Sequence, residues 1–420
     1  FRSRERVEIA TLERPSCIPI PLADLSPASA RQMLSQLVGT AELPQAVEQH
    51  LGMRDREGRD SPVNPLFLEE ALNVMMGAGV LRVNGRVYVD EVELARMQVP
   101  DTIHGLLLAR LDRLPPAGRD LLQVASVIGR QFSAEPLQVI AQAPLQQTVL
   151  RLLTDLSEAE MTRLVTADPE WIYLFQHALT HEVAYESLPY ARRQQLHAAV
   201  ASWLAHKYQH NLKPLHSLLA YHYSRADNHR EALQYAILAA DEARNIFANR
   251  EAIDLYTLAE RHLQALADVG LWETAVHLYL SRGESLRFVG DFNDAIRDAE
   301  QAAELAIRED DKEQWAKSYN LIAELKCRQA HFEEAQLLTE QIISDLQHDI
   351  TSDELARAYQ WSGMAAGYAG NFDFALTRLQ KAESLCQANS GRVRLARVLE
   401  AKAFVYYSQR ELDLALSAMK

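Results

Sequence analysis

The chain has 420 residues, a formal net charge of −14 and 24% charged side chains, enough length for two to four domains and a composition typical of folded protein. The acidic balance opposes non-specific attraction to nucleic acid or anionic membranes, and no apolar run approaches the roughly 20 residues that span a bilayer. Three scattered cysteines, Cys17, Cys327 and Cys386, build neither a disulfide framework nor a zinc motif, which fits a reducing, cytoplasmic setting.

The sequence begins at Phe1, reaches its first methionine at Met33 and ends at Lys420 soon after a helix start. We therefore read it as an internal piece of a longer chain. Residues 18–26 suggest an extended segment leading into Ser26-Pro27, a good cap and first-turn pair for a helix over 28–37. Residues 53–61 are unusually polar and predict a loop. Asn64-Pro65 repeats the cap-and-proline signature, and Arg82–Val89 with Asn84-Gly85 at its centre predicts a hairpin.

Val99-Pro100 interrupts the chain. Asp101 or Thr102 can cap a helix whose apolar positions Ile103, Leu106, Leu107, Leu111 and Leu114 follow the 3.6-residue period. Pro115-Pro116 ends it, and further helices are predicted over 117–128, 134–141 and 146–159. Residues 164–166 and 171–175 predict two strands around Ala167–Glu170. Helices followed by a two-stranded hairpin make a winged helix. Residues 101–200 carry 11 acidic and 8 basic side chains, a net of −3, whereas a groove reader normally shows a basic face. No nucleic-acid partner is expected.

His177 and His181 fall four apart on a predicted helix, with Glu182 next. A zinc hydrolase needs His-Glu-x-x-His, but Glu-Val-Ala-Tyr follows His181. Metal binding is rejected on that ground.

From 205 to 420 the chain predicts amphipathic helices with an internal repeat. Gly290-Asp291-Phe292-x-x-Ala295, Ala330-His331-Phe332-x-x-Ala335, Gly370-Asn371-Phe372-x-x-Ala375 and Arg410-Glu411-Leu412-x-x-Ala415 align at a constant step of 40. Each predicts a turn followed by a second helix, with the alanine admitting the first helix closely. Such hairpins are similar to tetratricopeptide repeats, whose period is about 34. The longer step predicts longer helices or loops, the latter at 308–313, 348–353 and 388–392. A less regular section around 219–232 and 250–256 precedes them. Stacked hairpins typically present a groove to a peptide or protein domain.

Three stretches carry a wider resemblance: residues 62–81 around Asn64-Pro65-Leu66-Phe67-Leu68-Glu69-Glu70, residues 99–116, and Phe175-Gln176-His177-Ala178-Leu179-Thr180-His181-Glu182. They resemble the signal-transduction ATPases with numerous domains (STAND). The similarity is to the branch whose AAA-like ATPase sits between a nucleotidyl cyclase or transcription-factor domain and a helical repeat array. The resemblance implies three regions: the remnant of an ATPase core and helical lid at 1–99, a winged helix at 100–204, and a tetratricopeptide-like array at 205–420. It implies ATP or ADP with Mg in the whole protein, and candidate nucleotide contacts at Arg2, Asn64, Pro65 and His177. In the family, the proline packs on adenine and the histidine touches the phosphates of bound ADP; a partly buried structural role for His177 stays open beside this. The family usually has glycine where Val63 stands, and valine disfavours positive φ.

A phosphate-binding loop needs Gly-x-x-x-x-Gly-Lys-Ser/Thr, and none of the sixteen glycines precedes a lysine. No catalytic activity is expected from this chain alone. The fold expectation is mostly α, ending in an α-solenoid. The functional expectation is a regulatory, protein-binding portion that couples nucleotide state to a partner on the array, with oligomerisation on activation left open. The alternative is a standalone scaffold without nucleotide.

Overall fold

The computed structural model describes residues 23–39, 44–54, 59–83, 87–97, 102–141, 146–266, 269–346, 348–388 and 392–419. The chain divides into two compact units between Arg192 and Arg193, inside the helix Tyr190–Lys207.

The first unit opens with helices α1 (Pro27–Val38), α2 (Gln45–His50) and α3 (Pro65–Gly77), the hairpin β1 (Leu81–Val83) and β2 (Val87–Val89), and α4 (Glu91–Arg96). Helix starts follow local chemistry. The Ser26 hydroxyl accepts from Ser29 N at 3.2 Å, and Asp90 caps α4 through Val92 N and Glu93 N. Together with α5 (Ile103–Arg113), these elements close one apolar core built on Leu34, Leu51, Leu68, Met75 and Leu106.

The predicted cap Asp101 lies outside the described residues, and Thr102 caps α5 by accepting from Gly105 N at 3.1 Å. Pro116 does not merely stop α5: it is the first residue of α6 (Pro116–Ile128), where a missing N–H is harmless. Then come β3 (Gln131–Ser133), α7 (Ala134–Ile140), α8 (Gln146–Glu158), β4 (Thr162–Thr166), β5 (Ile172–Phe175) and α9 (Ala178–Glu186). The sheet has three antiparallel strands in the order β3-β5-β4, rather than the two the sequence predicts. β3 is only three residues long, too short for an alternating pattern to register. It is held by Phe132, whose ring meets Phe175 edge-on at 5.5 Å in a buried aromatic cluster.

The second unit is an array of helical hairpins. Its helices are α10 (Tyr190–Lys207), α11 (His216–Arg225), α12 (His229–Asn245), α13 (Asn249–Leu266), α14 (Trp272–Val289), α15 (Phe292–Arg308), α16 (Lys312–Arg328), α17 (Phe332–Leu346), α18 (Ser352–Tyr368), α19 (Phe372–Ala388), α20 (Arg392–Ser408) and α21 (Leu412–Ala418). The unit takes in most of α10, upstream of residue 205, because His197 on that helix is hydrogen-bonded to His222 on α11 at 2.9 Å.

Phe292, Phe332, Phe372 and Leu412 are each the first residue of a helix. Ala295, Ala335, Ala375 and Ala415 are all buried. The 40-residue step is carried chiefly by helices of 15 to 18 residues over α14–α20. The turns before the repeat's second helices use the left-handed backbone at Gly290, Ala330, Gly370 and Arg410. That conformation favours glycine and strains the other two residues.

A second small-residue series lies on the facing helices: Gly283, Ala323, Gly363 and Ala403 recur at the same step and are buried or nearly so. Gly283 and Gly363 abut the carbonyl oxygens of Ala295 and Ala375. Close approach thus needs a small residue on both helices of a hairpin. Among the described residues, no helix is long and apolar enough to cross a membrane.

Candidate functional site

Of the four residues the resemblance implies, Arg2 lies outside the described residues. Asn64 caps α3: its Oδ1 accepts from Leu66 N at 3.0 Å and Phe67 N at 3.4 Å. Pro65 is the first residue of that helix and keeps some accessible surface. Val63 forms an antiparallel bridge with Leu25, with Leu25 N donating to its carbonyl at 2.9 Å and Val63 N donating to the Leu25 carbonyl at 3.1 Å. Its φ is not positive, so the absent glycine introduces no strain at this position.

His177 stands immediately before α9, not on it, so it shares no helical face with His181. His181 turns into the unit's interior and is hydrogen-bonded to the Ser126 carbonyl at 2.8 Å. Burial holds its pKa below the usual imidazole value, and the Ser126 bond and Glu182 only partly offset this. His177 instead remains partly accessible, with Nε2 4.0 Å from Glu70 Oε1.

Glu70 is the residue that sequence reading missed. It is fully buried on α3 and paired with Arg110 of α5, which also donates to the Ala159 carbonyl at 2.7 Å. Arg113 adds a bond to the Val74 carbonyl at 2.9 Å. Glu70 Oε1 has no hydrogen-bond partner. A signal was present in the sequence: Glu70 falls three residues after Phe67 and four before Val74, on the apolar stripe of α3. A charge there requires a buried partner. Pro65 and Glu70 are five residues apart, about 7–8 Å along a helix.

The array carries the more extensive candidate. The first helices of successive hairpins, α12, α14, α16, α18 and α20, line one face with two clefts along it. One, of about 410 Å³, is lined by α12, α14 and the start of α16; the other, of about 380 Å³, by α14, α16, α18 and α20.

Charged pairs cross this face between neighbouring helices. Arg244 reaches Glu284 at 2.6 Å, Arg287 reaches Glu324 at 2.7 Å, Arg357 reaches Glu324 at 3.4 Å and Arg394 reaches Asp353 at 2.8 Å. Burial pushes the Glu324 carboxyl up, but Arg287, Arg357 and Arg328 more than offset this and leave it below the usual carboxylate range.

The second cleft is walled by the half-buried rings of Trp361 and Phe404 and by Tyr368, whose ring lies 4.8 Å from Phe404. Gln360 also lines it, with Oε1 buried and without a partner. A third cleft of about 410 Å³, on α13, α14 and α15, is closed by its own charges: Arg282 is bound to Asp298 at 2.7 Å and to Glu260 at 2.6 Å. Among the described residues, no group of three or more His, Cys, Asp or Glu side chains could hold a metal ion.

No protein-family model and no curated protein matches the sequence. Solved structures do. BtubC from P. vanneervenii is 17% identical, covering 50% of this chain and 86% of that one, at a TM-score of 0.37. A STAND protein with a tetratricopeptide repeat sensor from Pyrococcus horikoshii is 13% identical at a TM-score of 0.36; the match covers 96% of this chain but 60% of that protein. A Rap protein complexed with competence and sporulation factor is 14% identical over 74% of each chain, at a TM-score of 0.40. The helical-repeat fold of the second unit rests on the hairpins described above.

Proposed function

We propose that this chain is the regulatory, protein-binding portion of a STAND-type ATP-binding signalling protein. A partner protein or peptide occupies the face formed by the first helices of the array, and its binding is coupled to nucleotide state through the first unit. In this reading residues 1–99 belong to the ATPase core and lid and 100–204 form a winged helix. Pro65 and His177 are the nucleotide-facing residues, and ATP or ADP with Mg is held mainly by the ATPase core. The protein works in the cytoplasm.

The observation that carries the protein-binding part is the second cleft. Four consecutive first helices contribute to it, and it contains an unpartnered buried acceptor beside accessible aromatic rings. Buried polar atoms are normally paired, so an unpaired one on a residue that lines a cleft favours a ligand there. The test is hydrogen exchange on the whole chain with and without a pooled peptide array. Binding on this face slows exchange in α16, α18 and α20 and leaves α15 and α17 unchanged. No protection by any peptide pool removes the reading.

The nucleotide part is tested by His177→Ala in a chain that includes the ATPase core. Faster loss of bound ADP is the expected result, and unchanged retention removes His177 from the site. One observation favours the scaffold alternative: every residue lining the two face clefts lies between Arg244 and Phe404, so the array forms its groove without help from the first unit. Melting the chain with Mg-ADP weighs the two readings, since a ligand that binds only the folded state raises the midpoint.

A further inference from the structure

The second cleft is chemically lopsided. In a chain of net charge −14, its lining carries the guanidiniums of Arg287, Arg328, Arg394 and Arg397 against the carboxylates of Glu324 and Glu400. These groups differ in what is left over for a ligand. Glu324 is enclosed by Arg287, Arg328 and Arg357, so it is closed to any incoming cation. Arg394 is committed to Asp353.

Arg397 is exposed and makes no ion pair among the described residues, while Arg328 is 45% exposed and shares Glu324 with two other arginines. Both retain donors for an anion. Between these charges lie the accessible rings of Trp361, Tyr368 and Phe404, with Met364 beside them. Gln360 Oε1, on a residue only 6% exposed, lacks the donor that a buried amide oxygen requires.

We propose that this cleft binds an extended acidic segment of a partner protein: a carboxylate side chain between Arg328 and Arg397, an adjacent aromatic or branched apolar side chain against Trp361 and Phe404, and a backbone N–H donated to Gln360 Oε1. The proposal rests on the protein-binding reading above and adds the chemistry of the ligand. An extended strand suits the site because its N–H groups are unpaired. Arginine donor pairs match carboxylate geometry, and a desolvated aromatic pocket supplies the anchor that charge alone does not. Glu400, one turn from Arg397, repels any anion, so a segment placing one or two carboxylates at the arginines is favoured over a phosphate backbone that carries a charge at every nucleotide.

The test uses fluorescein-labelled peptide pools of three charge classes, acidic, neutral and basic, each varied in apolar residues, with a single-stranded oligothymidylate beside them. Binding to the whole chain is read by polarisation. The acidic pool binds best and weakens as salt rises.

For the tightest acidic peptide, Arg397→Glu combined with Arg328→Gln weakens binding about tenfold or more, the loss of two charge contacts on the groove. Arg297→Glu, on α15 away from the groove, leaves binding unchanged. Equal binding of neutral and acidic pools, or indifference to the groove arginines, overturns the acidic-ligand proposal and leaves the groove reading standing. Tighter oligothymidylate binding overturns it in favour of nucleic acid. Failure of every pool overturns both.

Discussion

The two units differ in whether a small-residue seam accompanies their buried charge pairs; the array has both, since its α14–α15 hairpin also buries Arg282 against Asp298. In the array, close packing comes from what side chains lack: Gly283 abuts Ala295 and Gly363 abuts Ala375, and buried alanines hold the same positions in the other two repeats. In the first unit, α3 and α5 are tied by what side chains carry, the buried Glu70–Arg110 pair and the Arg113 bond to a backbone carbonyl. A repeat array spreads its stability over nearest-neighbour interfaces. In the first unit one buried ion pair reinforces the apolar contact of α3 with α5.

The sharpest way to break this comparison is Glu70→Ala. It leaves the Arg110 guanidinium largely buried with only the Ala159 carbonyl as partner. Removing one member of a buried pair typically costs about 3–5 kcal/mol. Hydrogen exchange of the α3 amides reads the loss locally, without requiring both units to unfold together. Glu70→Leu with Arg110→Met recovers much of the protection. If the single change alters protection by less than about 0.5 kcal/mol, the pair is not what fastens α3.

Among the buried polar pairs of the array, one should appear as an acid limb. His197 on α10 and His222 on α11 are both buried and share one hydrogen bond through their Nδ1 atoms at 2.9 Å. That bond needs a neutral acceptor nitrogen, so the two rings cannot both be protonated within it. Burial, then His222, Arg225 and Arg193, hold His197 down to about 3, and burial holds His222 down to about 4.

Depressed imidazole values mean that the unfolded chain binds protons more readily than the folded one. Stability is therefore full above the unfolded value of about 6.5 and falls as pH drops towards 4. The expected loss at pH 5 is on the order of 1–2 kcal/mol per histidine. Melting between pH 7 and pH 5 shows it, and His197→Gln flattens the limb. A limb of unchanged steepness in that variant would assign the acid sensitivity elsewhere.

Much of the array was legible because its constraint repeats. Phe292, Phe332, Phe372 and Leu412 mark helix starts, and the alanine three residues on reports the seam. The matching series Gly283, Ala323, Gly363 and Ala403 obeys the same step but lies inside helices, with no turn beside it to mark its register. Caps at Ser26, Asn64 and Thr102 were legible too, since a cap is a contact within three residues.

What escaped were pairings between distant residues. Arg110 meets Glu70 across 40 positions, and Arg287 and Arg357 converge on Glu324 from the two neighbouring helices. No local period encodes such a meeting. The candidate nucleotide residues lie between these cases. Asn64 and Pro65 start a helix whether or not adenine packs there, and the placement of His177 beside Glu70 needed the fold.

The finest test of the array compares two glycines in the same register. A Cβ on Gly363 would stand 2.7 Å from Leu379 Cγ and 3.0 Å from the Ala375 carbonyl oxygen. A backbone oxygen cannot swing aside, so α18 and α19 must part. Overpacking of this kind costs about 1–3 kcal/mol. At Gly283 the nearest atoms, the Ala295 carbonyl oxygen and Leu321 Cδ2, are both at 3.3 Å. A shift of a few tenths of an ångström relieves that contact, and replacing a helical glycine by alanine returns up to about 1 kcal/mol. Gly363→Ala should therefore lower the melting midpoint clearly, while Gly283→Ala stays near the parent value. Equal effects would mean that the seam has the same slack along its length, and that the α18–α19 hairpin is no tighter than α14–α15.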